Sequence, residues 1–169
     1  MPIGKKKIQT ILGIDPGLAD TGYGIITLDN NLLTIIDYGS IQTDKTLSLP
    51  QRLQILTDKL DQLIRRHRPD RIAVEELFFC KNVKTALTIG HARGVILLTA
   101  IKHGITPLEF TPLQIKQAVT GYGKADKKQI QQMTKAILNL KSIPQPDDAA
   151  DALAVAICAS NNQINIYGQ

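Results

Sequence analysis

The sequence predicts an α/β fold: a mixed five-stranded sheet, made of an antiparallel three-strand part plus parallel strands, flanked by helices. Three observations carry this. Short apolar runs rich in β-branched residues occupy residues 10–14 and 72–74, the composition of strands buried on both faces. The first three strand patterns follow one another without room for a helix, as an antiparallel hairpin series does. From Leu49 onward, helix and strand patterns alternate, as crossover connections to parallel strands require.

Each element has its own signal. Residues 10–14 (TILGI) form the first strand, Asp15 stands at its end, and Pro16-Gly17 makes the turn that follows. Thr21-Gly22-Tyr23-Gly24 leads into a return strand at residues 25–28, with a glycine-loosened start. Residues 32–43 read as a third strand interrupted at Gly39. Leu53, Leu56, Leu60, Leu63 and Ile64 recur at three-and-four spacing, so residues 49–67 form an amphipathic helix with Ser48 and Pro50 at its start. Pro69-Asp70 breaks it. Residues 71–75 (RIAVE) are a second buried-type strand ending in an acid, which repeats the arrangement at Asp15. A long helix spans residues 82–102, where Gly90-His91-Ala92-Arg93-Gly94 keeps one face small. A short strand at 106–111 precedes helices near 113–119, 127–140 and 147–161, with Gly121-Tyr122-Gly123 as the expected flexible loop.

Neither an internal repeat nor a long linker divides the chain, so residues 1–169 are expected to form a single domain. Its core spans about 8–161, between a basic extension at 1–7 and a polar tail at 163–169. With 43% hydrophobic and 21% charged residues, the composition is that of a soluble globular protein. Apolar runs such as Val95-Ile96-Leu97-Leu98 are too short to span a bilayer, and no secretory signal is visible. Cys80 and Cys158 have no metal-ligand spacing and read as free thiols of a reducing, cytoplasmic compartment.

The net charge of +5 is concentrated in one stretch. Residues 113–141 carry six lysines (116, 124, 127, 128, 135 and 141) against the single acid Asp126, and the rest of the chain sums to zero. That segment favours a polyanionic partner. The cluster Arg65-Arg66-His67-Arg68 ends a helix instead, where cations suit the dipole.

Acids occur where a solvated surface explains them least. Asp15 and Glu75 each terminate a core strand, and strand ends in an open α/β sheet face a common crevice. Asp147, Asp148 and Asp151 open the last helix, where Asp148 and Asp151 share a face and the surrounding alanines permit close approach to the sheet. Acids in a first helical turn also cap free N–H groups, but this does not explain the two at strand ends. Oxygen-only ligands at this density suit Mg²⁺ or Mn²⁺ rather than zinc.

These motifs resemble the bacterial RuvC family of Holliday-junction resolvases. The likeness is carried by Ile14-Asp15-Pro16-Gly17 with Thr21-Gly22-Tyr23-Gly24, by Ile72-Ala73-Val74-Glu75, by Gly90-His91-Ala92-Arg93-Gly94, and by the run from Asp148 to Ala154, in order from about Ile11 to Ala159. The resemblance implies an RNase H-like fold, a homodimer, and four acids that bind two Mg²⁺ ions, with Mn²⁺ as a plausible substitute. Residue by residue, that tetrad falls on Asp15, Glu75, Asp148 and Asp151, with Asp15 as the bridging ligand. Asp147 is a rival to Asp148, since it also shares a helical face with Asp151; Glu76 rivals Glu75, and strand alternation lets only one of those two face the metals.

Lys116 and Lys127 match basic positions that the family uses near its active site, and Lys124 and Lys128 are further candidates for DNA-backbone contacts. Phe78, one of only three phenylalanines, matches the family's aromatic that stacks on an unpaired base, although core packing would also suit it. The implied partners are a four-way DNA junction and the RuvA and RuvB branch-migration proteins. An actin-like ATPase needs a duplicated fold, for which this chain is too short. An architectural junction binder has no use for converging carboxylates. A nuclease acting on RNA or an RNA–DNA hybrid shares the metal acids and remains the alternative.

Overall fold

A computed structural model describes residues 8–76 and 82–162. The apolar run near the N-terminus becomes the middle of a five-stranded sheet. β1 (Gln9–Asp15) pairs antiparallel with β2 (Asp20–Asp29) and parallel with β4 (Arg71–Glu75). β3 (Leu32–Gln42) and β5 (Leu108–Phe110) complete the order β3-β2-β1-β4-β5, antiparallel through β3, β2 and β1 and parallel through β1, β4 and β5.

Alternation along β1 divides the core into two layers. Ile11 points to one side, where α3 (Pro112–Thr120), α4 (Lys127–Ile137) and α5 (Asp147–Asn161) cover the sheet. Leu12 and Ile14 point to the other, packing with Leu56, Leu60 and Ile64 of α1 (Leu49–His67) and Ala92, Ile96 and Ala100 of α2 (Val83–Lys102). The leucine stripe read from residues 53–64 is thus the buried face of α1. That helix stops where Arg68 turns left-handed and its N–H bonds the Ile64 carbonyl at 2.8 Å, just before Pro69. Asp70 then ties the start of β4 to β1 through paired 2.8 Å bonds with the Thr10 backbone.

Glycines let α5 lie directly on the strands. A methyl group on Gly13 would overlap the Ala152 carbonyl, one on Gly22 would overlap the Asp148 carbonyl, and one on Gly24 would sit 2.7 Å from Leu153. The alanines of α5 supply the matching small surface, and Ala149, Ala150, Ala152, Ala154, Ala156 and Ala159 are all buried.

Three readings of the sequence need correction. β3 runs unbroken through Gly39, whose lack of a side chain makes room for the Tyr23 ring. The irregularity lies earlier, where pairing passes from Ile25↔Asp37 to Ile26↔Ile35 and leaves Ile36 as the extra residue of a bulge. β2 begins at Asp20, well before Ile25, because Gly22 and Gly24 serve close packing rather than loosening the strand. The turn after α3 is tied down: Gly121 is left-handed, and the Thr120 hydroxyl accepts from the Tyr122 N–H at 3.1 Å while donating to the Lys116 carbonyl at 2.7 Å. Among the described residues, no helix is long and apolar enough to cross a membrane.

Candidate active site

Asp15 ends the central strand, and the parallel register Ile14↔Val74 brings Glu75 beside it at the same edge of the sheet. On the other flank Asp15 pairs with Gly22, which is the residue that bears the backbone of Asp148. The two-layer packing therefore lowers the first turn of α5 onto the strand end that carries Asp15. One carboxylate oxygen from each of Asp15, Asp148 and Asp151 lies within 4.8 Å of the other two, and a side-chain hydrogen bond joins Glu75 to Asp15. Acids from three separate elements meet at one point.

Their proximity disfavours full ionisation. Burial and the charges of Glu75, Asp151 and Asp148 push the Asp15 carboxyl up to about 8. Burial also raises Glu75, against the hydrogen bond from Asp15 and the positive charge of Lys116. The two carboxyls share their proton as one pair, with both held above the usual carboxylate range. Asp148 is raised by burial and by Asp20 and Asp151; Asp151 is raised by burial, with Lys127 opposing. Such a group is short of positive charge, and its donors are all oxygens, the set that suits hard divalent cations.

The lysines differ in their relation to this point. Lys127, in the first turn of α4, places Nζ 3.2 Å from both Asp151 and Asp147. Burial works against its charge, but these acids outweigh it and hold the ammonium above the usual lysine pKa. Lys116 on α3 is felt electrostatically at Glu75. Lys128 lines a cavity on an adjoining face of α4, and Lys124 is exposed in the turn before that helix. Asp147 lies outside the three-oxygen group; it faces Lys127 and accepts a 3.3 Å hydrogen bond from Gln131. Glu76 gives its backbone N–H to the Phe110 carbonyl. Phe78 lies outside the described residues.

Residues 11–159 match the family model described as crossover junction endodeoxyribonuclease RuvC. The chain belongs to the RuvC family. The crossover junction endodeoxyribonuclease RuvC of Ruminiclostridium cellulolyticum is 57% identical over 152 residues, 90% of this chain and 92% of that protein. The RuvC of Alkaliphilus oremlandii is 58% identical over 148 residues, 88% of this chain and 90% of that protein. Among solved structures, Thermus thermophilus RuvC in complex with Holliday junction substrate superposes with a TM-score of 0.86 at 31% identity, covering 90% of this chain and 93% of that one. The yeast mitochondrial resolvase Ydc2, at 15% identity and a TM-score of 0.65, shares the fold. The mixed sheet with its helical layers is the RNase H-like fold of these RuvC structures.

Beside the acids, this RuvC-family chain has a hollow of about 420 Å³ that sequence reasoning missed, lined by Gly17, Asp20, Lys84, Thr85, Thr88 and Asp148. Asp20 accepts a 3.4 Å hydrogen bond from the Ser40 hydroxyl, and its charge acts on Asp148. A polar residue directly before the Thr21-Gly22 pair was the only local hint of Asp20. Lys84, Thr85 and Thr88 gave no hint at all, since only the sheet order brings α2 beside the β1–β2 turn.

Proposed function

We propose that this chain is a structure-selective endonuclease that resolves four-way DNA junctions by symmetric paired nicks during recombination and repair. The single observation behind this reading is the convergence of Asp15, Asp148 and Asp151, with Glu75 bonded to Asp15. These four residues would hold two Mg²⁺ ions, with Mn²⁺ as a substitute, and Asp15, on the central strand, would be the ligand common to both. Divalent ions supply water activation and charge neutralisation at the scissile phosphate.

The protein's own groups fix the geometry and the charge. Asp15 and Glu75 are held on strand ends, and Asp148 and Asp151 on a helix that glycines and alanines let pack closely against the strands. Lys127 pairs with Asp151 and offers positive charge to a phosphate, and Lys116 adds positive charge that is felt at Glu75. Lys124 and Lys128 contact the DNA backbone, and Phe78 stacks on a base at the crossover.

A homodimer fits two equal cuts, because a two-fold pair presents two identical sites. The surface for it is the outer face of α2. Val83, Leu87, Leu98 and Ile101 are 73%, 61%, 54% and 53% exposed there. Gly90 and Gly94 continue the same stripe, with nothing within 4 Å of a methyl group built on either. A row of exposed apolar side chains with a bare centre suits close helix-to-helix approach. The chain acts as one domain in the cytoplasm, beside RuvA and RuvB.

Incubation with a synthetic mobile four-way junction, with and without Mg²⁺, next to a linear duplex and an RNA–DNA hybrid, tests this reading. Symmetric nicks in the junction alone are expected. Cleavage of the hybrid in preference to the junction would overturn it.

A further inference from the structure

A second cavity, of about 450 Å³, opens at the turn between α3 and α4, outside the acid cluster. Its size falls in the range of roughly 300–1,000 Å³ typical of ligand pockets. Tyr122 and Met133 line it, together with Lys128, Gln129, Gln132 and Asp126. Both apolar residues are open to solvent, Tyr122 at 56% and Met133 at 40% exposure, so neither is needed to build the core.

The ring is presented on fixed backbone. The Thr120 hydroxyl, itself anchored to the Lys116 carbonyl, accepts the Tyr122 N–H, and Gly123 packs so closely that a methyl group there would lie 2.6 Å from Leu113. The one carboxylate at the cavity is already engaged, since Asp126 accepts the Gln129 N–H at 2.8 Å as the cap of α4. What remains is an aromatic face, a thioether, the Gln132 amide, the donor end of Gln129, whose oxygen already accepts the Asp126 N–H at 2.9 Å, and the Lys128 cation.

The position of the cavity says what fills it. Lys127 and Lys128 are consecutive on α4, about 100° apart around its axis. The first, with Gln131, reaches the acids of α5; the second, with Gln129, Gln132 and Met133, reaches the cavity. A chain of phosphates lying across the start of α4 would meet both faces. The surrounding segment carries six lysines against one acid, which selects a polyanion over an apolar peptide.

We propose that this cavity receives an unpaired base of the DNA strand beside the cut phosphate, stacked on Tyr122, with Lys128 on the adjoining phosphate. The inference rests on the nuclease reading above and names an aromatic contact on that strand in addition to Phe78. Tyr122 is a positioning residue: it holds the strand and takes no part in the bond-breaking step.

The test uses the full-length chain and a four-way junction. Tyr122→Ala weakens junction binding by roughly fivefold to a hundredfold, the range expected for loss of one base–aromatic stack, and leaves the salt dependence unchanged. Tyr122→Phe and Tyr122→Trp retain affinity, because they keep a ring. Lys128→Ala lowers the salt slope by about one phosphate contact. In the unmodified chain, 5-iododeoxyuridine placed next to the cut cross-links on irradiation to the peptide holding Tyr122, a readout that does not depend on how the variants fold. Wild-type affinity in Tyr122→Ala, or cross-links that fall elsewhere, would assign the cavity to another occupant, such as a protein segment. If the unmodified chain neither binds nor nicks the junction, the nuclease reading itself fails instead.

Discussion

The Lys127 ammonium lies 3.2 Å from the Asp151 carboxylate, so the acid cluster contains its own cation. Lysine and a metal ion compete for that oxygen. Lys127→Gln is therefore expected to bind Mn²⁺ more tightly in the absence of DNA, by about two- to fivefold given the partial exposure of the pair. Calorimetry at pH 8 measures this. In the same variant the salt slope of junction binding falls by about one. Unchanged Mn²⁺ affinity would show that the lysine does not share the site.

Stability should depend on pH in the direction set by the raised carboxyls. Asp15 moves from 3.8 to about 8, and Glu75, Asp148 and Asp151 are raised as well. The folded metal-free chain thus binds more protons than the unfolded chain between about pH 4 and pH 8, and it loses stability as pH rises through that window. In EDTA, Tm falls from pH 5 to pH 8.5. Added Mg²⁺ restores it at pH 8.5 by at least about 4 °C, the response of a chain this size to roughly 1–2 kcal/mol, and has a smaller effect at pH 5. Equal shifts at both pH values would contradict the placement of the metal on these acids.

Asp15→Asn separates binding from cutting. It removes a charge from a crowded group, so the metal-free variant at pH 8.5 melts above the unmodified chain. Junction binding in Ca²⁺ stays within about threefold, since the lysines that meet phosphate are untouched. Nicking in Mg²⁺ falls about a thousandfold or more, the scale of losing a principal charged group of a catalytic constellation. Substantial residual nicking would remove Asp15 from the mechanism.

The exposed stripe of α2 gives a separate test. Leu87→Glu sets a charge in the middle of the apolar face without touching the core, because Leu87 is 61% exposed. Light scattering at micromolar concentration is expected to report a dimer for the unmodified chain and a monomer for the variant, with circular dichroism unchanged. A dimer that survives the substitution would move the interface elsewhere.

The sequence made legible whatever depended on one-dimensional periodicity or on abrupt chemical contrast. The leucine stripe of α1 and the buried runs of β1 and β4 are of the first kind, and their positions in the structure follow directly. Asp15 and Glu75 are of the second kind, charges at the ends of strands that otherwise admit none. Periodicity could not separate Asp147 from Asp148, since both stand in one helical turn; the resemblance of the run from Asp148 to Ala154 favoured Asp148, and in the structure it is Asp148, beside Gly22, whose oxygen lies near Asp15. Asp20, Lys84 and Thr85 lie on elements far apart in the chain and gave no periodic signal. Gly39 showed a break in pattern, but the Tyr23 ring that explains it is on another strand.

The glycine floor beneath α5 has a consequence for heat inactivation. Because the Ala152 and Asp148 carbonyls occupy the space that side chains at Gly13 and Gly22 would fill, no long side chain spaces the backbone of α5 from the strands at those points. The carboxyls of Asp148 and Asp15 are then expected to separate only as α5 leaves the sheet, so that on heating a probe of the acid cluster and a probe of the core should report a single transition.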